Sequence, residues 1–329
     1  VWSEQVAKQA VWLAGLVPYE QAAAILDQVG QIAIASKSIW RRVAVWGKRG
    51  QAVEADERAT ASALPNRGQP VAGEARDLGT LGVALDGAMV NVRQEGWKEL
   101  KSGCIFEVEL SSRVDLKTGD PIELAQAVRT SYQAHLGGPE VFGQLLWAEA
   151  RQRRWTRAGE TIAIGDGAPW VWNLVGDHFY DSRQIVDWYH AKTHLHQAAS
   201  LLKGEGTPAA QHWFKEQEDL LFAGHAEQIA TTLRSEAKRH RKVAADLRRE
   251  AGYFSDNTRR MQYQETREDD LPIGSGMVES ACKPYRARFA GPGMRWSRPG
   301  LERLIPIRSV VMGHSFDQWW QRVANVPHN

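Results

Sequence analysis

The sequence has 329 residues, 43% of them hydrophobic, with 41 Lys and Arg against 39 Asp and Glu for a formal charge of +2. It can therefore bury a large core in two or three structural units, and its total charge does not announce a nucleic-acid partner. Cys104 and Cys282, the only cysteines, can build neither a disulfide framework nor a thiolate zinc site and point to a reducing, cytosolic setting; no apolar run approaches the roughly 18 residues of a membrane span, and no basic-then-apolar leader pattern is present.

In chain order, Val6, Ala10, Leu13, Ala14 and Val17 recur at helical spacing, and Pro18-Tyr19-Glu20 opens a second helix reaching Val29. After Gly30, a serine N-cap at Ser36 precedes a segment carrying Lys37, Arg41 and Arg42 beside Ile39 and Trp40. This is the look of a helix-turn-helix recognition helix, so residues 1–50 are expected to form a helical DNA-binding module. A plain three-helix packing unit fits the same pattern. Residues 51–77, with Pro65, Asn66, Gly68 and Pro70, lose the apolar period and predict a helix tail and then a linker.

Residues 81–86 and 89–93 read as two short strands and 104–110 as a third, together an antiparallel meander. Pro121 predicts a helix running towards His135, and a second helical piece spans 139–154. Residues 161–166 form a strand ending in an acid, 169–175 a Trp- and Val-rich helix, and 182–187 a fifth strand. The expected fold class is α/β: an RNase H-like mixed five-stranded sheet with helices on both faces and a helix-turn-helix-like N-terminal module. Its core spans 78–190 and 268–329, interrupted by an all-α insertion at 191–267. The 14 Trp are expected to be mostly core anchors, with Trp188 or Trp213 as candidates for stacking on a base.

Asp86 and Asp166 each end an apolar run and are each followed by Gly. Asp-Gly favours hairpin turns, but in this strand order the first and fourth strands are parallel neighbours about 4.8 Å apart. Glu279 follows the Gly274-Ser275-Gly276 turn at the start of a helix. Alone it reads as half of an i,i+4 pair with Lys283; beside two aspartates it reads as a third carboxylate. Like charges at about 4 Å cost roughly 4 kcal/mol per pair at an effective dielectric near 20. Divalent cations relieve that repulsion, and oxygen-only ligands favour Mg²⁺ or Mn²⁺ over Zn²⁺. Asp187 and His190 stand three apart at the end of the fifth strand, a pattern that also suits a simple buried Asp–His hydrogen bond. His190 and His194 have metal-site spacing, but Ala191 occupies the position where a zinc-protease helix needs Glu.

The ordered set Leu85-Asp86-Gly87, Gly165-Asp166-Gly167, Asp187-Trp188-Tyr189-His190, Gly274-Ser275-Gly276-Met277-Val278-Glu279-Ser280 and Gly293-Met294-Arg295-Trp296 resembles the DDE transposases of the Mutator-like group, in particular the ISKra-type bacterial insertion sequences. The resemblance covers nearly the whole chain. It implies Asp86, Asp166 and Glu279 as ligands of two Mg²⁺ ions, with Mn²⁺ able to substitute. Asp187 and His190 match the group's C/D-x-x-H motif, near the scissile phosphate. The implied partner is double-stranded DNA, both transposon terminal repeats and target, held by a homodimer or larger assembly. Lys283, Arg286, Arg288, Arg295 and Arg298 are expected along the DNA backbone. The implied activity is metal-dependent cleavage at transposon ends and strand transfer into target DNA, in the bacterial cytoplasm at the nucleoid. A domesticated, catalytically inactive DNA-binding protein and a metal-dependent nuclease without strand transfer are the neighbouring readings. A two-carboxylate glycoside hydrolase leaves Asp187, His190 and the basic C-terminal stretch unused.

Overall fold

The computed structural model describes residues 2–62, 79–114, 119–274 and 278–326, with the backbone alone for 278–282. Three helices come first, α1 (Glu4–Leu16), α2 (Tyr19–Gln28) and α3 (Ser36–Ser62). The Ser3 hydroxyl caps α1 by accepting from the Val6 N–H at 3.3 Å. The connection between α2 and α3, residues 29–35, is longer than the three- or four-residue turn of a helix-turn-helix. The first carbonyl that α3 uses belongs to Ala35, so Ser36 lies one position inside the helix instead of capping it. The tail of α3 takes in residues 51–62, and the remaining part of the expected linker falls outside the described residues.

The sheet contains β1 (Thr80–Val92), β2 (Gly96–Val114), β3 (Pro121–His135), β4 (Glu160–Gly165) and β5 (Arg183–Val186), in the order β3-β2-β1-β4-β5. β1, β2 and β3 are antiparallel, whereas β4 runs parallel to both β1 and β5. Two expectations need correction. Residues 81–93 do not divide at Asp86-Gly87: β1 passes straight through, because Asp86 and Gly87 stay in register with Ser102 and Lys101 of β2. The hairpin turn lies further on, where Gln94 and Gly96 adopt positive φ. Residues 121–135 are a strand, not a helix. Pro121 opens either element acceptably, but β2 offers a ladder from Lys101 to Val114 that β3 completes, and Val128, Thr130 and Tyr132 suit a pleated surface.

Helices α4 (Pro139–Gln152) and α5 (Pro169–His178) fall between strands, each with Pro in its first turn. After β5 come α6 (Trp188–Lys203), α7 (Pro208–Phe222), α8 (Ala226–Arg239), α9 (Ala244–Asp256) and α10 (Tyr263–Glu268), followed by α11 (Val278–Phe289), α12 (Arg298–Met312) and α13 (Phe316–Ala324). Among the described residues no helix is long and apolar enough to cross a membrane.

Two apolar clusters hold these elements. One joins Leu81, Val83, Ala84 and Leu85 of β1 to α4, α5 and the helices that follow β5. The other joins Val90 and Val92 of the same strand to α1–α3 and α11–α13. The N-terminal helices therefore share their core with the C-terminal ones, and Asp86 stands on β1 between the two clusters.

Candidate functional site

The parallel ladder between β1 and β4 ends on the pair Leu85 and Gly165. The next residue on each side is an aspartate, so Asp86, within β1, and Asp166, just past the end of β4, stand at the same level on neighbouring chain segments, about one strand spacing apart. Both are half-buried. One oxygen of each is oriented locally: Asp86 Oδ1 accepts from the Gly87 N–H at 2.6 Å, and Asp166 Oδ1 from the Ala168 N–H at 2.8 Å. Gly167 must be glycine, since its φ is +98° and a Cβ there would lie 2.7 Å from the Tyr253 ring.

Asp187 continues the same edge, its N–H donating to the Gly165 carbonyl at 2.8 Å. It is only 2% exposed and caps α6, with Oδ1 accepting from the backbone N–H of His190 at 2.8 Å. The expected Asp–His relation is thus made through the main chain, and the His190 side chain is exposed one helical turn on, its ring centroid 5.8 Å from that of His194.

His194 and two side chains that the sequence did not single out, Tyr253 and Glu250, complete this corner. The Tyr253 hydroxyl donates to the Asp166 carbonyl at 3.0 Å, and the Tyr253 ring stacks on His194 at 3.6 Å. His194 Nδ1 lies 2.7 Å from Oε2 of Glu250, which is 1% exposed. Burial first, then the charges of Asp166, Asp187 and Glu250, push the Tyr253 phenol well above its ordinary range. It stays a protonated donor in a carboxylate-rich corner. Glu250 and Tyr253 sit on α9, far along the chain from Asp166, and only the His190–His194 spacing hinted at this contact.

Helix α11 packs on the face of the sheet that Asp86 shares. A Cβ on Gly103, the partner of Leu85, would meet Phe142 and Leu146 of α4, so Leu85 faces α4. Alternation turns Asp86 the other way, along with Val90 and Val92, which share a cluster with Tyr285 and Phe289 of α11. The chain approaches α11 from the Asp187 end, where the Trp188 N–H donates to the Ile273 carbonyl at 3.0 Å. It leaves at the Val92 end, where Trp296 Nε1 donates to the Phe289 carbonyl at 2.8 Å and the Trp296 backbone pairs with Asn91 and Arg93. From Phe289 back to Glu279 is about 15 Å of helix, and from Val92 back to Asp86 about 20 Å of strand. α11 therefore runs back along β1 from the Val92 end in the direction of Asp86. The Glu279 side chain, Ser275, Gly276 and the Cys282 side chain lie outside the described residues. Among the described residues no three of His, Cys, Asp and Glu form a complete set of metal ligands; Asp86 and Asp166 supply a pair of hard oxygen donors that matches the ligand preference of Mg²⁺ or Mn²⁺.

The expected DNA-contacting cations divide into two groups. Lys37, Arg41, Lys283, Arg286 and Arg295 are exposed, and Arg42 is half-buried with its guanidinium 5.1 Å from the Trp2 ring. Arg288 is not on that surface. It is 3% exposed, its Nε donates to the Ala14 carbonyl at 3.0 Å, and burial lowers its pKa to about 10. Arg298 is bound by both oxygens of Glu95, at 2.8 and 2.5 Å, and by Glu302. Arg288 thus serves the packing of this chain, a correction to its expected place along DNA, whereas Arg298 is held in a half-exposed ion pair. Trp188 meets Phe222 and Tyr263 edge-on at 5.8 and 4.8 Å, and Trp213 is half-buried against the sheet cluster; both are packing residues.

Protein-family models and curated proteins were compared with the chain. None of them matches.

Proposed function

We propose that the chain is a DDE transposase with an RNase H-like core, in which Asp86, Asp166 and Glu279 hold divalent metal. One observation carries this reading: the parallel β1–β4 ladder stops one residue short of an aspartate on both strands, with α11 entering from the same end. The strand order, three antiparallel strands followed by two parallel ones, is the order expected of that core.

Bound at these carboxylates, two Mg²⁺ ions would supply an activated nucleophile and neutralise the leaving oxygen of an in-line displacement at phosphorus. The chain's own residues prepare for this. The Ala168 N–H orients one oxygen of Asp166, and the Tyr253 hydroxyl holds the backbone of the loop that carries it. Asp187 fixes the start of α6, from which the His190 side chain projects into solvent, to meet a phosphate or pass a proton. Lys283 and Arg286 on α11, with Arg295 beyond it, form the track for a DNA backbone, and Lys37 and Arg41 extend it on α3. Holding two transposon ends together calls for a dimer or larger assembly on DNA.

The test is nicking of supercoiled DNA in Mg²⁺ or Mn²⁺, followed by strand transfer using the sequences that flank the protein's own gene. Asp86→Asn, Asp166→Asn and Glu279→Gln are each expected to reduce nicking by at least about a thousandfold, a scale set by losing metal-assisted charge stabilisation, while the melting temperature holds. Cleavage that survives all three substitutions would sink the proposal. Nicking without strand transfer selects the nuclease reading, and salt-dependent DNA binding without nicking selects the inactive DNA-binding protein.

A further inference from the structure

Helix α6 starts at the carboxylate corner and carries His190 and His194 four residues apart on one face, the spacing at which two imidazoles can share an ion. Their ring centres lie 5.8 Å apart. A ligating nitrogen sits about 2.1 Å from a zinc ion, which puts the ion roughly 3.2 Å from each ring centre and the two centres about 5 Å apart on a tetrahedral ion. A small rotation of the exposed His190 side chain closes the difference. His194 is already fixed. Its ring stacks on Tyr253 at 3.6 Å and 20°, and its Nδ1 lies 2.7 Å from Oε2 of Glu250. Glu250 is 1% exposed, and its other oxygen lies 3.5 Å from Nε of Arg249. A carboxylate paired with a guanidinium accepts hydrogen bonds, so the His194 proton sits on Nδ1 and the Nε2 lone pair stays available. With Nδ1 against a buried residue, the exposed part of the half-buried His194 ring is the edge away from Nδ1, which carries Nε2. An outer carboxylate that sets the tautomer and orientation of a histidine in this way is the usual second shell of a metal ligand. Among the described residues the His190 ring has no hydrogen-bond partner; only its backbone N–H is engaged, by Asp187.

We propose that His190 and His194 bind one transition-metal ion of the zinc class at the edge of the carboxylate corner, with Glu250 as the outer-shell carboxylate and water in the remaining positions. Imidazole nitrogen selects Zn²⁺, Ni²⁺ or Cu²⁺, whereas Asp86 and Asp166 offer the hard oxygens that Mg²⁺ prefers. Two neighbouring sites thus sort ions by ligand type. Tyr253 joins them, its ring against His194 and its hydroxyl on the Asp166 carbonyl. Asp187 caps the turn from which His190 projects, so one exposed side chain is all that has to be ordered when the ion binds. The site also accounts for Glu250. A carboxylate is costly to bury without partners, and orienting a metal-binding histidine gives this one a use that the proposed reaction does not. Ion binding here uses none of Asp86, Asp166 and Glu279, and it stands apart from the transposase reading.

The test titrates the full chain with zinc chloride by calorimetry in saturating Mg²⁺, which occupies the oxygen ligands and keeps them out of the measurement. One Zn²⁺ per chain is expected to bind and to withstand about a thousandfold excess of Mg²⁺. His190→Ala is expected to weaken binding about tenfold or more, because losing a ligand costs at least as much as losing an outer-shell partner. Its melting temperature is expected to hold, since the His190 side chain is exposed. His194→Ala should weaken binding as much, but it also strips the buried Glu250 of its partner, so His190→Ala is the deciding variant. Glu250→Gln keeps an acceptor for Nδ1 and loses the charge, and about a tenfold loss is expected. Absence of Zn²⁺ binding, or binding of parental strength in His190→Ala, overturns the assignment. Zn²⁺ binding in a chain that does not nick DNA leaves this site standing while the transposase reading falls, and nicking without Zn²⁺ binding does the reverse.

Discussion

The carboxylate end of the sheet and the arginine seam beneath α1 treat charge in opposite ways. Asp86 and Asp166 are half-exposed, and the hydrogen bonds at their Oδ1 atoms come from backbone N–H groups one and two residues away. Arg288 and Arg308 are buried, and they donate to the carbonyls of Ala14 and Gly15 in the last turn of α1. Arg308 also donates to the Pro284 carbonyl of α11 at 2.9 Å. A helix leaves its final carbonyls without intrahelical partners, and the positive charge of a guanidinium also suits the negative end of the helix dipole. The seam thus fastens α1 to α11 and α12 by satisfying groups that would otherwise be buried unpaired. Burial and the supply of orphan carbonyls set the two regions apart.

The largest effect expected from this comparison is on folding stability. Arg288→Ala removes a charged donor from a buried carbonyl and the guanidinium that lies by the Tyr19 and Trp296 rings, and is expected to cost about 3 kcal/mol. Arg286→Ala, exposed on the same helix, is expected to change stability by less than about 0.5 kcal/mol. Urea denaturation of the two variants measures the contrast, and equal midpoints would break it.

The next effect concerns pH. Glu54 on α3 has its pKa raised to about 8, by burial first and then by Glu57, with Arg58 opposing. In the unfolded chain it titrates near its ordinary value of 4.5. Between those values the folded state binds more protons than the unfolded state, so this group's contribution to stability is full below about pH 4.5 and is lost as pH rises through about 8. Thermal melts across that window should show the decline, and Glu54→Gln should flatten it. An unchanged slope in the variant would place the pH dependence elsewhere.

The smallest effect sharpens the carboxylate side. Tyr253→Phe removes one hydrogen bond to the Asp166 carbonyl, worth about 1 kcal/mol. It leaves the ring stacked on His194 and retains every carboxylate. Nicking is expected to fall several-fold while metal concentration dependence stays near that of the parent, because Tyr253 holds the loop and binds no metal. Full activity in this variant would show that the loop needs no such support.

Much of this protein follows from local pattern. The apolar periods of α1, α2, α4 and α5, the all-helical stretch after β5, and the short apolar strands β4 and β5 are legible because each records its own face or run over a few residues. Asp166 and Asp187 could be placed for the same reason, since each follows directly on a short apolar strand. Tertiary structure decided the rest. Asp86-Gly87 has the look of a turn, yet the β2 ladder runs past it and keeps β1 extended. Pro121 has the look of a helix start, yet the unpaired edge of β2 draws residues 121–135 into the sheet. Arg288 is spaced along α11 like its exposed neighbour Arg286, and only the carbonyl of Ala14, 274 positions away, determines that it is buried. Glu250 and Tyr253 reach the carboxylates through the fold of the helices after β5. A ladder hydrogen bond, a buried carbonyl and a cross-chain contact depend on a partner distant in sequence, and the local pattern of residues does not contain that partner.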